Sequence, residues 1–346
     1  MSSVSLEFAR PRHLEAMTPP ESRGLERDQV RLLVSGGERF LHHTFRDLAE
    51  LLTPGDLLIV NESATVPASL PARSKVGEFR LNLCTDYGGG VWLAEPRWDY
   101  GVPGPVPLVD GEHVVTGSVR FHPLRTYPRI DRLWFFRAEG DVRRAMFEVG
   151  RPIRYGYVTG EYPLRTYQTV FSRVPGSAEM PSAGRPFTAR TVEALHARGI
   201  GIASIVLHTG VSSLESDPGR ADLPPVVPEP FEIPAETAER VNATRRSGHR
   251  VIAVGTTVLR ALETAWGCGG VAPLRGFTQL VLAPGRVVHA ADGLLTGFHD
   301  ARTSHLALLF AFAGEAAVRR AYDEAARAGY LWHEFGDSHL LWRSAA

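Results

Sequence analysis

Three short polar stretches each follow a compact apolar run: Asn61-Glu62-Ser63 after Leu57 to Val60, His208-Thr209-Gly210 after Ile202 to Leu207, and Gly255-Thr256-Thr257 after Val251 to Val254. Arg260 stands one helical turn beyond the last of these. Such runs read as buried strands with a polar rim at their carboxyl ends, where open parallel sheets bind ligands. A Gly-Thr-Thr turn opening a helix offers free backbone N–H groups and hydroxyls that suit a carboxylate or phosphate. The same string also serves as an ordinary strand-to-helix turn with a threonine cap. His208 is equally two-sided, as an acid–base group or as a histidine that hydrogen-bonds its own turn.

These stretches need elements to hold them. Phe45 to Leu52 reads as a short helix ended by Pro54-Gly55, and Thr188 caps a helix from Ala189 to Arg198 that Gly199 stops. Pro234 to Arg246 and Val258 to Trp266 are the next helical stretches. Strands and helices alternating at these lengths imply a largely parallel sheet with right-handed crossovers. From Pro71 to Phe147 the texture changes to short alternating stretches such as Val91-Trp92-Leu93-Ala94 and Leu133-Trp134-Phe135-Phe136, broken by Gly, Pro and Asp clusters including Gly101 to Pro107. That spacing predicts a small barrel or sandwich. The expected architecture is an α/β domain over residues 1–70 and 151–346, split by a β-rich domain over 71–150. Ser216 to Pro230 is rich in proline and is expected to be extended.

Among 346 residues, Lys+Arg and Asp+Glu each number 38, so no overall positive field collects nucleic acid, and any RNA contact must be local. Cys84 and Cys268 form no C-x-x-C, which argues against disulfide, iron–sulfur and cysteine-rich zinc frameworks and fits a reducing, cytoplasmic compartment. The longest strongly apolar run, Leu306 to Gly314, is well short of the ~20 residues of a membrane span, and no leader pattern is evident. There is no G-x-G-x-x-G after a strand, no Walker loop, no H-E-x-x-H and no G-x-S-x-G, so nicotinamide, nucleoside-triphosphate, zinc-protease and serine-hydrolase chemistries lack their parts. His299 and His305 are six positions apart and do not share a helix face in the way metal ligands usually do, so no metal is expected.

Longer strings then carry a resemblance. Pro54-Gly55-Asp56-Leu57-Leu58-Ile59-Val60-Asn61, Tyr167-Gln168-Thr169-Val170, Pro181-Ser182-Ala183-Gly184 with Phe187-Thr188, and Ala253-Val254-Gly255-Thr256-Thr257 with Arg260 occur in the order and spacing of one family, and Thr296-Gly297-Phe298-His299, Tyr322 and Gly336-Asp337 continue it. The chain resembles the S-adenosylmethionine:tRNA ribosyltransferase-isomerases of the queuosine pathway over nearly its whole length. The resemblance implies an α/β domain with an inserted β-barrel, S-adenosylmethionine as co-substrate, no metal, and tRNA as partner. The implied reaction removes a C5′ proton next to the sulfonium, joins that carbon to the aminomethyl group of a deazaguanine in tRNA, and releases adenine and methionine. It requires a general base, a site for departing adenine and an anion site for the methionine carboxylate. The expected base is His208, with Glu229 and His299 as alternatives; the expected cofactor contacts are Pro181, Ser182, Ala183, Gly184, Gly255, Thr256, Thr257 and Arg260.

The chain also departs from the family pattern. Where relatives read Asn-Asp-Thr-Arg-Val-Ile-Pro-Ala-Arg-Leu it has Asn61 to Leu70 with Ala64 and Ser69 in place of both arginines. Ala-Ala-Pro-Thr-Ala-Gly-Leu-His-Phe-Thr becomes Glu179-Met180-Pro181-Ser182-Ala183-Gly184-Arg185-Pro186-Phe187-Thr188. Losing two guanidiniums removes donors suited to phosphate, so tRNA binding is what the changes endanger and the loss points at the acceptor side; the alternative is that other arginines, for instance Arg185 or Arg302, took over. Two further readings stay open on this scaffold: a S-adenosylmethionine-using enzyme with a small-molecule acceptor, and a non-catalytic binding protein.

Overall fold

The computed structural model describes all residues except 1–5, 7, 9–10, 37–38, 99–104, 110, 212–226 and 344–346. The chain begins with β1 (Arg31–Ser35) and β2 (Phe40–Thr44), then passes the single-turn helix α1 (Leu48–Leu51) into β3 (Leu57–Asn61) and β4 (Ser63–Thr65). The next strands are β5 (Ser69–Ser74), β6 (Gly77–Asp86), β7 (Val91–Arg97), β8 (Val114–Thr116), β9 (Val119–Tyr127) and β10 (Ile130–Glu139), followed by α2 (Val142–Val149). The α/β rhythm resumes with β11 (Val174–Ser177), α3 (Ala189–Ala197), β12 (Gly201–Leu207), β13 (Glu229–Ile233), α4 (Ala235–Arg246), β14 (Val251–Val254) and α5 (Thr256–Thr264). A small hairpin, β15 (Trp266–Gly267) and β16 (Gly270–Val271), leads to β17 (Leu274–Thr278), β18 (Gly293–Gly297), α6 (Ser304–Ala313), α7 (Glu315–Arg327) and β19 (Ser338–Trp342).

One nine-stranded sheet runs in the order β17-β13-β12-β3-β14-β18-β19-β1-β2. Its centre, β12-β3-β14-β18, is parallel. The flanks add antiparallel pairs, β13 on β12, β17 on β13, β19 on β18 and β2 on β1. Strands in the middle of such a sheet bury both faces, so their sequences are continuously apolar rather than alternating. In β3, Leu57 and Ile59 join a core with Val258, Leu259 and Leu262 of α5, while Leu58 and Val60 join a second core with Phe45, Leu48 and Phe187. Val251 and Ala253 of β14 divide from Ile252 and Val254 in the same way.

Strands β10-β7-β6-β5-β8-β9 close into a barrel. Here the period is two: Phe79, Leu81 and Leu83 of β6 and Val119 and Phe121 of β9 point into the barrel core. Asp141 caps α2 by accepting from the Arg144 N–H, and the helix lays Val142, Ala145 and Met146 against that core.

Three local expectations are corrected. Gly255, at φ +102, ends β14 so sharply that α5 begins at Thr256 rather than Val258, and it stops at Thr264 because Trp266 is taken into the hairpin with β16. Glu229 and Pro230 are not loop but the first residues of β13, on the side of the proline-rich tract that lies largely outside the described residues. Phe45 to Leu52 is a 3-10 turn over Phe45–Asp47 followed by one α turn. None of the described helices is long and apolar enough to cross a membrane.

Candidate functional site

Because β12, β3, β14 and β18 are parallel, their carboxyl ends line one edge, which carries His208, Asn61 to Ser63, Gly255 to Thr257 and His299 in turn. Asn61 ties the edge together: its Oδ1 accepts from the N–H groups of Leu207 and Ser63, both at 3.0 Å, and its Nδ2 donates to the Leu207 carbonyl at 2.8 Å. Glu62 accepts from the Ser204 hydroxyl at 3.0 Å.

His208 is set by two small neighbours. Its Nδ1 lies 2.7 Å from Ser63 Oγ, which in turn lies 2.6 Å from Ser177 Oγ. A Cβ on Gly176 would sit 2.5 Å from the ring, so only glycine leaves room for the imidazole there. Burial, then the Arg143 charge, lowers the histidine pKa and keeps the ring neutral. The ring faces a cavity of about 300 Å³ lined also by Cys84, Arg143, Met146 and Phe147. Glu229 is held differently: Oε1 accepts from the Gly210 N–H at 3.1 Å and Oε2 from Arg260 Nη1 at 2.6 Å. Arg260 also donates through Nε to the Leu280 carbonyl. The pair Glu229–Arg260 is buried, so the arginine reaches away from its own helix onto β13 rather than back along α5.

The Gly255 turn meets the Pro181–Gly184 loop. The loop is a 3-10 turn over Ser182–Gly184, and a Cβ on Gly255 would lie 3.5 Å from that of Ala183. Among the described residues no side chain caps α5 at Gly255, so the threonine-cap reading does not hold. Beyond the loop opens a cleft. A narrow part is lined by Ser182, Ala183, His299, His333 and Glu334; a wider part of about 390 Å³, between barrel and sheet, is lined by Glu179, Tyr155, Tyr157, His305, His333 and Arg80 among others. His333 belongs to both.

His299 hydrogen-bonds Thr296 Oγ1 through Nε2 at 2.8 Å, its backbone N–H donates to the Tyr322 hydroxyl, and its Nδ1 has no partner among the described residues. Its pKa is held well below the usual value by burial and then by His305, His333 and His339. His305 stacks on it at a ring-centroid distance of 4.8 Å and, for the same reason of burial, falls to about 3. Six-residue spacing suggests that these two histidines stand apart; the turn before α6 brings them face to face. Among the described residues no group of three His, Cys, Asp or Glu side chains is arranged to hold a metal ion.

The cleft also contains residues that sequence reasoning passed over. Glu179 is buried and accepts from the Tyr155 hydroxyl at 3.1 Å. Glu334 is buried, and its Oε2 has no hydrogen-bond partner among the described residues. Burial first, then the Glu179 charge, raises the Glu334 pKa well above the usual range against a smaller opposing effect of Arg185. Glu179 opens the string through Thr188 that departs from the family pattern the chain resembles, which is a visible signal; His333 and Glu334 carry none. Of the alternative arginines, Arg185 is buried and committed to both Glu21 carboxylate oxygens and the Thr166 carbonyl. Arg80 lies beside Ser69, its Nε 3.1 Å from Ser69 Oγ and its Nη2 on the Ser69 carbonyl.

Thus the structure gathers Ser182, Ala183 and His299 on one cleft, backs them with Gly255, and leaves His208 and Glu229 in separate surroundings. The queuosine biosynthesis protein family model matches residues 4–341. The chain is 35% identical to the S-adenosylmethionine:tRNA ribosyltransferase-isomerase of Thermus thermophilus, over 93% of this chain and 96% of that protein. It is also 35% identical to the protein of the same name from Anaeromyxobacter sp. strain K, over 99% and 100%. The crystal structure of the S-adenosylmethionine tRNA ribosyltransferase from Thermotoga maritima aligns with a TM-score of 0.55 at 29% identity, covering 97% of this chain and 99% of that one. With the same barrel-and-sheet architecture and agreement from end to end, this chain belongs to the queuosine biosynthesis protein family.

Proposed function

We infer that this chain is an S-adenosylmethionine:tRNA ribosyltransferase-isomerase of queuosine biosynthesis. The observation that carries the reading is the cleft at the carboxyl edge, lined together by Ser182 and Ala183 of the Pro181–Gly184 loop and by His299, whose Nδ1 has no partner among the described residues. S-adenosylmethionine supplies an acidified C5′–H and two leaving groups. The loop residues Pro181, Ser182, Ala183 and Gly184 bind it, with Gly255, Thr256 and Thr257 behind them offering the uncapped N–H groups of α5 to an anion. Arg260 acts on this turn through the fold, by anchoring α5 to Glu229.

His299 takes the proton. Its low pKa keeps the ring neutral; in the tautomer with Nε2–H donating to Thr296 Oγ1 the Nδ1 lone pair is available, and proton transfer from a cationic substrate to a neutral imidazole leaves the net charge of the cleft unchanged. Acidic neighbours therefore stabilise the state before transfer and the state after it alike. His208 is the second candidate; its Nδ1 is engaged by Ser63 and it opens onto a different cavity. Arg80, with Arg97, Arg132 and Arg154 along the wider cleft, offers guanidiniums to tRNA phosphates in place of those absent at Ala64 and Ser69.

The test is incubation with S-adenosylmethionine, with and without tRNA bearing the aminomethyl-deazaguanine, following adenine and methionine by chromatography. Release only with the tRNA is expected. Release without it would move the acceptor to another molecule, and no release would remove the enzymatic reading.

A further inference from the structure

The cleft holds an acidic pair that the proton transfer above does not use. Glu334 is 8% and Glu179 5% exposed, and the two carboxyls are near enough to act on each other electrostatically. Several buried carboxylates among the described residues have arginines: Asp56 has Arg250, Asp28 has Arg46 and Arg190, and Glu95, on the same wider cleft, has Arg132 at 3.5 Å. Among the described residues Glu334 has no ion pair, and its Oε2 is turned into the cleft lining without a hydrogen-bond partner. The nearest cation, Arg185, is bound to Glu21 and lies over the Phe335 ring. Beside the acids stand three rings in contact: Tyr155 stacks on Tyr157 at 5.6 Å, and His333 meets Tyr155 edge-on at 4.6 Å.

Buried acid next to aromatic faces is the chemistry that recognises an organic cation, because the ring faces and the carboxylate both attract positive charge in a site from which water is excluded. The geometry points to a subsite for a primary alkylammonium formed by Glu179 and Glu334 with Tyr155, Tyr157 and His333. An arginine fits poorly there, since the narrow part of the cleft admits only a compact head group, whereas an ammonium carries three donors on one atom. Burial pushes Glu334 toward its protonated form, and exchanging that proton for the cation leaves the net charge of the subsite unchanged. Two sources present this chemistry: the α-ammonium of the methionine moiety, and the aminomethyl group of the deazaguanine. Both presuppose that the cleft is the substrate site, as the proposed function has it.

Calorimetry on the full chain separates the sources. One arm compares S-adenosylmethionine with its analogue lacking the α-amino group; the other compares 7-aminomethyl-7-deazaguanine with the 7-methyl compound. In one of the two arms the amine is expected to bind at least tenfold more tightly than its partner. That preference is expected to vanish in Glu179→Ala and in Glu334→Gln, the former serving if the latter does not fold. Binding of the preferred amine to the unaltered protein is expected to release a proton, seen as a dependence of the heat on buffer ionisation enthalpy, and Glu334→Gln to abolish that release. Equal affinity within both arms, or a preference that survives both substitutions, overturns the subsite. Adenine release in the tRNA assay reports separately on the enzymatic reading: release without amine preference leaves the enzyme and removes the subsite, and amine preference without release does the reverse.

Discussion

The two halves of the carboxyl edge are built from the same kinds of residue and end in opposite states. Around His208, Asn61 is hydrogen-bonded three times, Ser63 bridges Ser177 and the imidazole, and Glu229 is held by Gly210 and Arg260. Among the described residues Thr209 Oγ1, Arg260 Nη2 and, on the His208 cavity, Thr85 Oγ1 are left over there, none of them an acid or base that works near neutral pH. Among the described residues the unpartnered atoms around His299 include its own Nδ1 and Glu334 Oε2, on two residues that line the cleft, beside His339 Nδ1 and Trp332 Nε1 in the core. Buried polar groups are normally satisfied because an unmade hydrogen bond is costly. A strand end whose polar atoms satisfy one another is therefore holding the sheet together, and one that leaves them open toward a cavity is holding them for a ligand.

The sharpest way to break this comparison is to exchange the histidines. His299→Gln is expected to slow adenine release by about 10²–10⁴, the range of a positioned base, while His208→Gln stays within about tenfold; single-turnover rates with saturating tRNA measure both. The opposite ranking would transfer the base to the His208 side. A second contrast is one of stability. Arg260→Ala strips the buried Glu229 of its cation and is expected to cost about 3–5 kcal/mol in urea unfolding. Glu334→Gln removes no pairing and, at about pH 4 where the carboxyl is largely protonated folded and unfolded alike, is expected to change stability by less than about 1 kcal/mol. If Arg260→Ala unfolds at the unaltered midpoint, the ion pair is not the anchor of α5.

The same two regions differ in pH response. His305 and His339, each lowered to about 3 by burial, are neutral in the fold but protonated in the unfolded chain below its own value near 6.5. The unfolded state thus binds more protons in that window, so their contribution is present above about pH 6.5 and lost as pH falls toward 3, by up to about 1.4 kcal/mol per pH unit per proton. Glu334, raised in the fold, works in reverse: its contribution is present below the unfolded value and lost as pH rises through the folded one. Unfolding free energies measured from pH 4 to 6.5 are expected to rise, less steeply in His305→Asn and more steeply in Glu334→Gln.

What the chain discloses in advance follows from the range of the interactions involved. The apolar runs of β3, β12 and β14 mark a two-sided buried sheet, and the change to period-two alternation marks the barrel, because both patterns are local. The Pro181–Gly184 loop and the Gly255 turn are legible as strings, and their contact is a consequence of adjacent strand ends. Glu334 is not legible: it lies far along the chain from Glu179 and Tyr155, and nothing in Trp332-His333-Glu334 marks a carboxyl that folding will bury unpaired. His299 and His305 mislead in the other direction, since a helix rule cannot see a turn that folds one ring onto the next. Arg185 misleads too, as a surface cation by residue type and a buried one by its pairing with Glu21.

The smallest effect tests the comparison at its quiet end. Ser63 is wholly buried, and its hydroxyl stands between Ser177 Oγ and His208 Nδ1. Ser63→Ala removes two hydrogen bonds but strands few polar atoms, since Ser177 Oγ still accepts from the Thr209 N–H at 3.1 Å. The expected loss is about 1 kcal/mol, within the range for a buried neutral hydrogen bond, read as a small drop in urea midpoint. The imidazole would lose the partner that fixes its ring but would keep the space that Gly176 leaves for it. If His208 serves the sheet, turnover should then change no more than a loosened strand end allows, well under tenfold. A fall of 10² or more with stability nearly intact would mean that Ser63 orients a working base, and that the satisfied half of the edge, not the open one, carries the proton transfer.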